Sequence, residues 1–140
     1  MRLGLLASSF SPFPHCGHIR AMQDAIEAGA CDAIRAALHI DPSVERHWKR
    51  SPPLTADERE ILLRAIRYVH AVVRYETEQH LEEIISSWPP ACLIIGEDHR
   101  GRDYTGQEFE IPVFWASRSY GWSGTAFAER IAVSITEDWP

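Results

Sequence analysis

Five short apolar runs, separated by longer stretches of polar and amphipathic residues, constrain this chain more than any other feature. They are "RLGLLA" (2–7), "AIRAALHI" (33–40), "AVVRY" (71–75), "ACLIIG" (91–96) and "IPVFWA" (111–116). Each is shorter than an ordinary helix, and several run into turn formers, so they read as buried strands. The second is ambiguous alone because alanine favours helix; its place between Gly29 and the Asp41-Pro42 turn decides for strand. The intervening stretches carry helical spacing. "GHIRAMQDAIEAG" (17–29) sets Ile19, Met22, Ala25 and Ile26 on one face, with Gly29 as a stop signal. "TADEREILLRAIRYV" (55–69) opens on a Thr55/Glu58 capping box and places Ile61, Leu62, Ala65 and Ile66 on one face. "TEQHLEEIISSW" (77–88) and "SGTAFAERIAV" (123–133) complete the set. This alternation predicts a small doubly wound α/β fold, a five-stranded parallel sheet with helices on both faces. The whole chain, residues 1–140, is expected to form one domain.

Charge and cysteine content narrow the function. A net charge of −6 argues against a broad basic surface for nucleic acid, while leaving room for a local cationic pocket that takes a small anion. Cys16, Cys31 and Cys92 form no CxxC and no zinc quartet, which points to reduced thiols in a cytosol-like compartment. No apolar run approaches the roughly 20 residues that span a bilayer, and the N-terminal run is too short for a signal peptide. The expectation is a cytoplasmic protein with no membrane partner.

The chemistry concentrates in "SSFSPFPHCGHIRAM", Ser8 to Met22, between the first strand and the first helix. In open parallel sheets ligands collect beyond the carboxyl ends of strands, and a helix N-terminus there suits phosphate. Gly17 would let a phosphate approach the backbone, and His15 and His18 could donate to phosphoryl oxygens. Two plain loop histidines, or a helix cap that happens to be histidine, is the alternative reading. A second phosphate-binding helix start is formed by Ser123 and Thr125, with Arg118 as a guanidinium fork; a capping serine beside a solvated arginine is its alternative. Arg59 and Arg67 lie eight apart and face almost the same way on one helix, although Arg59 could instead pair with Asp57 or Glu60. Lys49 and Arg50 are candidates for an acceptor phosphate, or else a solvated basic loop. Gly96, Glu97 and Asp98 follow a strand end where carboxylates could meet Mg²⁺, a ribose or a base, or simply form an acidic turn. Trp48, Trp88, Trp115 and Trp139 read as packing residues, Trp122 as a pocket residue, and His39 and His99 fall near strand ends.

These segments, in this order, resemble the HxGH nucleotidyltransferases, and in particular the glycerol-3-phosphate cytidylyltransferase-like branch, across about residues 3 to 132. "SFSPFPHCGH" stands at the Gly-Thr-Phe-Asp…His-x-Gly-His signature, "LTADEREILLRAIRYVHAVV" at a helix with two nucleotide-site arginines, "IIGEDHRGRDYTG" near base and ribose, and "RSYGWSGTAFAERI" at the segment closing on the triphosphate. The resemblance implies a Rossmann-like fold and catalytic residues His15, His18 and Arg118. It places Ser9, Phe10, Gly17, Arg59, Arg67, Gly96, Glu97, Asp98, Ser123 and Thr125 at the nucleotide. It also implies Mg²⁺ near Asp98, CTP with glycerol 3-phosphate or a similar small phosphorylated acceptor, and a homodimer. An adenylyltransferase using ATP and a catalytically weak nucleotide-binding module are the alternatives. This chain departs from the pattern at Ser8-Ser9 for Gly-Thr, Ser11 for Asp, Trp122 for Ile, and His70 for an acid. His70 joins Lys49 and Arg50 as an acceptor-binding candidate.

Overall fold

The computed structural model describes residues 1–136; Trp139, with the last four positions of the expected domain, lies outside the described residues. The strands are β1 (Leu3–Ser8), β2 (Ala33–His39), β3 (Val69–Tyr75), β4 (Cys92–Gly96) and β5 (Val113–Ala116). The helices are α1 (Cys16–Glu27), α2 (Ala56–Arg64), α3 (Glu78–Ser87) and α4 (Gly124–Thr136). The strands form one sheet in the order β3-β2-β1-β4-β5, and every pairing is parallel. The doubly wound α/β architecture expected from the alternation is the one observed.

Side-chain alternation along the strands feeds two cores. On one face Leu6, Ile34, Ala36, Leu38 and Ile94 pack with Met22 and Ala25 of α1 and Leu63 of α2. On the other, Leu5, Ala37, Tyr75 and Leu93 pack with Leu81 and Ile85 of α3. Neighbouring positions such as Leu5 and Leu6 thus serve opposite layers, as a period of two requires. The alanine-rich "AIRAALH" is a strand because it is the second strand from the edge, paired on both sides, where burial outweighs its helical preference.

Two local expectations need correction. The helix expected over 55–69 stops at Arg64, and β3 begins at Val69. The chain holds no glycine or proline stop there; instead Ile34 N–H donates to Tyr68 O at 2.9 Å, and the sheet recruits the β-branched end of the run. The inward face of α2 also differs. Arg59 and Leu63 point inward, whereas Ile61 is 70% exposed. The rest of the capping is as the sequence indicates: Thr55 Oγ1 accepts from Glu58 N–H at 3.1 Å, and Glu58 Oε1 accepts from Thr55 N–H at 2.8 Å.

Candidate active site

A cavity of about 770 Å³ opens at the carboxyl edge of the sheet. The last residue of every strand lines it: Ser8, His39, Tyr75, Gly96 and Ala116. This is where a parallel sheet leaves its connecting loops free to hold a ligand.

The start of α1 supplies the most specific geometry. His15 is the N-cap, and its Nδ1 accepts from Gly17 N–H at 3.0 Å. His18 Nδ1 reaches back and accepts from His15 N–H at 3.1 Å. Together they make a capping box in which both acceptors are imidazole nitrogens. Because each Nδ1 is an acceptor, each neutral ring carries its proton on Nε2. His18 Nε2 lies 3.5 Å from Ser8 Oγ, which itself accepts from Phe10 N–H at 3.0 Å. The two rings lie against one another, centroids 3.8 Å apart and planes tilted by 35°, and the Phe127 ring of α4 lies 5.0 Å from His15. Burial, aided by the Arg118 charge, pulls the His15 pKa down to about 4. Burial, His15 and then Arg118 pull His18 down to about 3. Both rings are therefore neutral at pH 7 and can donate through Nε2.

Gly17 needs no side chain for a reason other than the one expected. A Cβ there would sit 2.8 Å from Trp122 O and from His15 Cε1, so the space belongs to the protein's own backbone and imidazole. Its N–H is committed to His15 as well. Phosphate access must come from the rest of the helix start.

Arg118 lies over Gly96, where any Cβ would meet its guanidinium. Its Nε donates to Asp98 Oδ1 at 2.9 Å and its N–H to Glu97 Oε1 at 2.9 Å. The acidic pair is thus the anchor of Arg118, and Asp98 is held below the ordinary carboxylate range by that guanidinium despite an opposing desolvation effect. At the second helix start, Ser123 Oγ accepts from Ala126 N–H at 3.1 Å. That loop is seated firmly, since a Cβ on Gly124 would strike Ser11 O.

Of the residues singled out from the sequence, Ser9, His15, Gly17, His18, Lys49, Gly96, Arg118 and Ser123 line the cavity, as do His39, His99 and Trp122. Others do not. Arg59, only 1% exposed, is spent on backbone: Nε donates to Leu54 O and Thr55 O, Nη1 to Ser9 O and His39 O, and Nη2 to Ile40 O. It shapes the site without facing it. Arg67 is not on a helix; it sits in the turn before β3 with Nη2 on Tyr68 Oη, and His70 follows in the strand, both at the sheet edge opposite the cavity. Phe10 is fully buried at φ 51°, its ring 4.7 Å from His18, supporting that imidazole from below. Arg50 and Thr125 are exposed and outside the lining, and Glu97 and Asp98 act through Arg118.

Sequence reasoning passed over Arg20, Arg46, Tyr75, Glu78 and Thr105, all in the lining, while Ser8, noted as a departure from the family pattern, lines it too. Their signal was positional. Tyr75 ends a strand, and Glu78 opens the helix that follows it.

A cytidylyltransferase-like family model matches residues 5–109. Among curated proteins, the chain is similar to the bifunctional protein HldE of Campylobacter concisus, 27% identical over 125 residues, covering 89% of this chain and 26% of that protein. HldE of Sulfurimonas denitrificans is 34% identical over 96 residues, covering 68% of this chain and 20% of that protein. The chain therefore spans about a quarter of the length of such relatives. A lipopolysaccharide core biosynthesis protein from Thermoplasma volcanium shares the fold, with a TM-score of 0.62 at 15% identity, over 84% of this chain and 95% of that one.

Proposed function

The chain belongs to the cytidylyltransferase-like family and is a nucleotidyltransferase, and on that premise we propose that it joins a nucleoside monophosphate to a small phosphorylated acceptor. An acceptor phosphate oxygen attacks the α-phosphorus in line. The new P–O bond forms as the bond to the β-phosphate oxygen breaks, and pyrophosphate leaves with that electron pair. The observation that carries the reading is the histidine capping box, which fixes both tautomers with Nε2–H at the helix start. Neutral donors held in place at a positive dipole end stabilise charge that grows during transfer. In this reading Arg118 contributes its Nη groups to phosphoryl oxygens while Asp98 holds Nε. Lys49, in the cavity lining, receives the acceptor's phosphate.

CTP is the proposed nucleotide, after the family's description, and ATP is the second reading. Ser8, Ser11 and His70, which set the chain apart from the glycerol-phosphate branch, are what motivate the third reading, a catalytically weak nucleotide-binding module. The relatives described above are HldE proteins, and the acceptor is proposed as a class, a phosphorylated polyol or sugar. Mg²⁺ is proposed to arrive on the triphosphate, where it neutralises phosphate charge. Asp98 Oδ2, the oxygen that Arg118 leaves, fits the single protein carboxylate such an ion needs. A homodimer is part of the proposal; a monomer mass by light scattering across micromolar concentrations would reject it.

The test is a multiple-turnover pyrophosphate-release screen of CTP and ATP against phosphorylated polyols and sugars with Mg²⁺. Turnover with one pair is expected. Binding without release in every combination would leave a nucleotide-binding module instead.

A further inference from the structure

At the far end of the cavity from Arg118, three side chains that play no part in the proposed transfer converge. One ligand atom each from His39, Glu45 and Glu78 lies within 4.8 Å of the others. We propose that these residues form a binding site for one divalent transition-metal ion, of the zinc or manganese class, at the carboxyl end of β2. The proposal does not depend on the nucleotide reading.

His39 provides the first argument. It is 3% exposed, and its Nε2 lies 3.1 Å from Glu76 O. A carbonyl only accepts, so Nε2 carries the proton and Nδ1 keeps its lone pair. An imidazole that donates its other N–H to a backbone carbonyl is the arrangement found around metal-ligating histidines. Tyr75 stacks on the ring at 4.5 Å and fixes its plane.

The carboxylates are braced in the same way. Glu78 Oε1 accepts from Arg46 Nη2 at 3.1 Å and Oε2 from Thr105 Oγ1 at 2.7 Å. Glu45 Oε1 accepts from Glu78 N–H at 3.0 Å, so the two acids are tied to one another through the start of α3. One nitrogen and two carboxylates make a borderline donor set that suits zinc or manganese better than a hard, all-oxygen ion such as Mg²⁺. Ligand bonds of about 2.0–2.2 Å need the three atoms to draw closer, and Glu45, the exposed member, has the freedom to do so. A bound ion would cross-link the loop carrying Glu45, Arg46 and Lys49 to β2 and α3.

The full chain, stripped with chelator, is titrated by calorimetry with Zn²⁺, Mn²⁺ and Mg²⁺, each alone and without nucleotide. One equivalent of Zn²⁺ or Mn²⁺ should bind and raise the melting temperature, with Mg²⁺ much weaker. Glu45→Gln should weaken binding at least by the roughly 10–100-fold that loss of an outer-shell partner costs, and Glu45→Gln/Glu78→Gln should abolish it. Circular dichroism checks folding, and the exposed Glu45 keeps the single variant informative if the double one does not fold. His70→Gln should bind as the parent does. No binding, equal affinity in Glu45→Gln, or loss of binding in His70→Gln would each overturn the site.

Discussion

The two histidines do two jobs with two nitrogens each. Nδ1 of each ring caps α1, which locks the proton on Nε2, so the cap is what prepares the donors. His18→Ala should therefore lower kcat by about 10²–10³, the usual cost of one such donor, while nucleotide affinity changes little; parallel turnover and binding measurements check this. Their depressed pKa values also make a stability prediction. The unfolded rings titrate near 6.5, and the folded rings near 4 and 3. Their contribution is full above pH 6.5 and lost as pH falls toward 4 and 3, because the unfolded chain binds the protons first. By pH 5 each should cost on the order of 1–2 kcal/mol, read as a fall in urea midpoint between pH 7.5 and 5 that His15→Asn/His18→Gln blunts. A third residue-scale case is Gly4. A Cβ there would lie 2.8 Å from Cys31 Sγ and 3.1 Å from Cys92 Sγ, both buried thiols. Gly4→Ala should destabilise by about 1–3 kcal/mol through overpacking, measured by chemical denaturation.

At the scale of elements, Arg59 is the tie among the loop after β1, the end of β2 and the start of α2, with donors on five carbonyls. Arg59→Met leaves those carbonyls without their donor, at about 1–3 kcal/mol for each that stays buried and unsatisfied, and the loss should be visible in the thermal midpoint without nucleotide present. The sequence pattern showed that an arginine mattered here but not which partner it served. Carboxylate neighbours such as Asp57 and Glu60 invited a surface pairing, yet both pair with Arg74 instead. Strand and helix existence was legible because periods of two and 3.6 are carried by many residues at once. Boundaries and rotation were not, since a single long-range contact decides them. Tyr68 O pairing with Ile34 ended the α2 region early and carried Arg67 and His70 to the wrong edge of the sheet. The residues around His15 were legible for the opposite reason: a strand end, a turn and a helix start lie within a few positions, so local sequence contains the geometry.

Across the whole molecule, a chain of net charge −6 gathers Arg20, Arg46, Lys49 and Arg118, interleaved with Asp24, Glu78, Glu82, Asp103 and Glu108, around one cavity at the sheet's carboxyl edge. Arg20, Arg46 and Arg118 are each held by a carboxylate, Asp24, Glu78 and Asp98 in turn, so a polyanion would be selected by guanidiniums fixed in direction and not by a net positive recess. The parallel order places β1 at the centre, so the histidine cap lies between the loops after β2 and those after β4 and β5. Ligand on either side should then tighten the same scaffold. A nucleoside triphosphate with Mg²⁺ at about 100 times its Kd should add about 2.7 kcal/mol to folding stability. For a chain of this size that corresponds to a rise of roughly 10 °C in the melting temperature. The comparison is CTP against ATP, each at equal concentration, measured by differential scanning fluorimetry. A larger rise with CTP supports cytidylyl transfer, and a larger rise with ATP selects adenylyl transfer. Arg118→Ala should shrink the rise, because the variant lacks the guanidinium assigned to the phosphates. If neither nucleotide moves the parent protein's melting temperature, the cavity does not bind triphosphate and the proposed function falls.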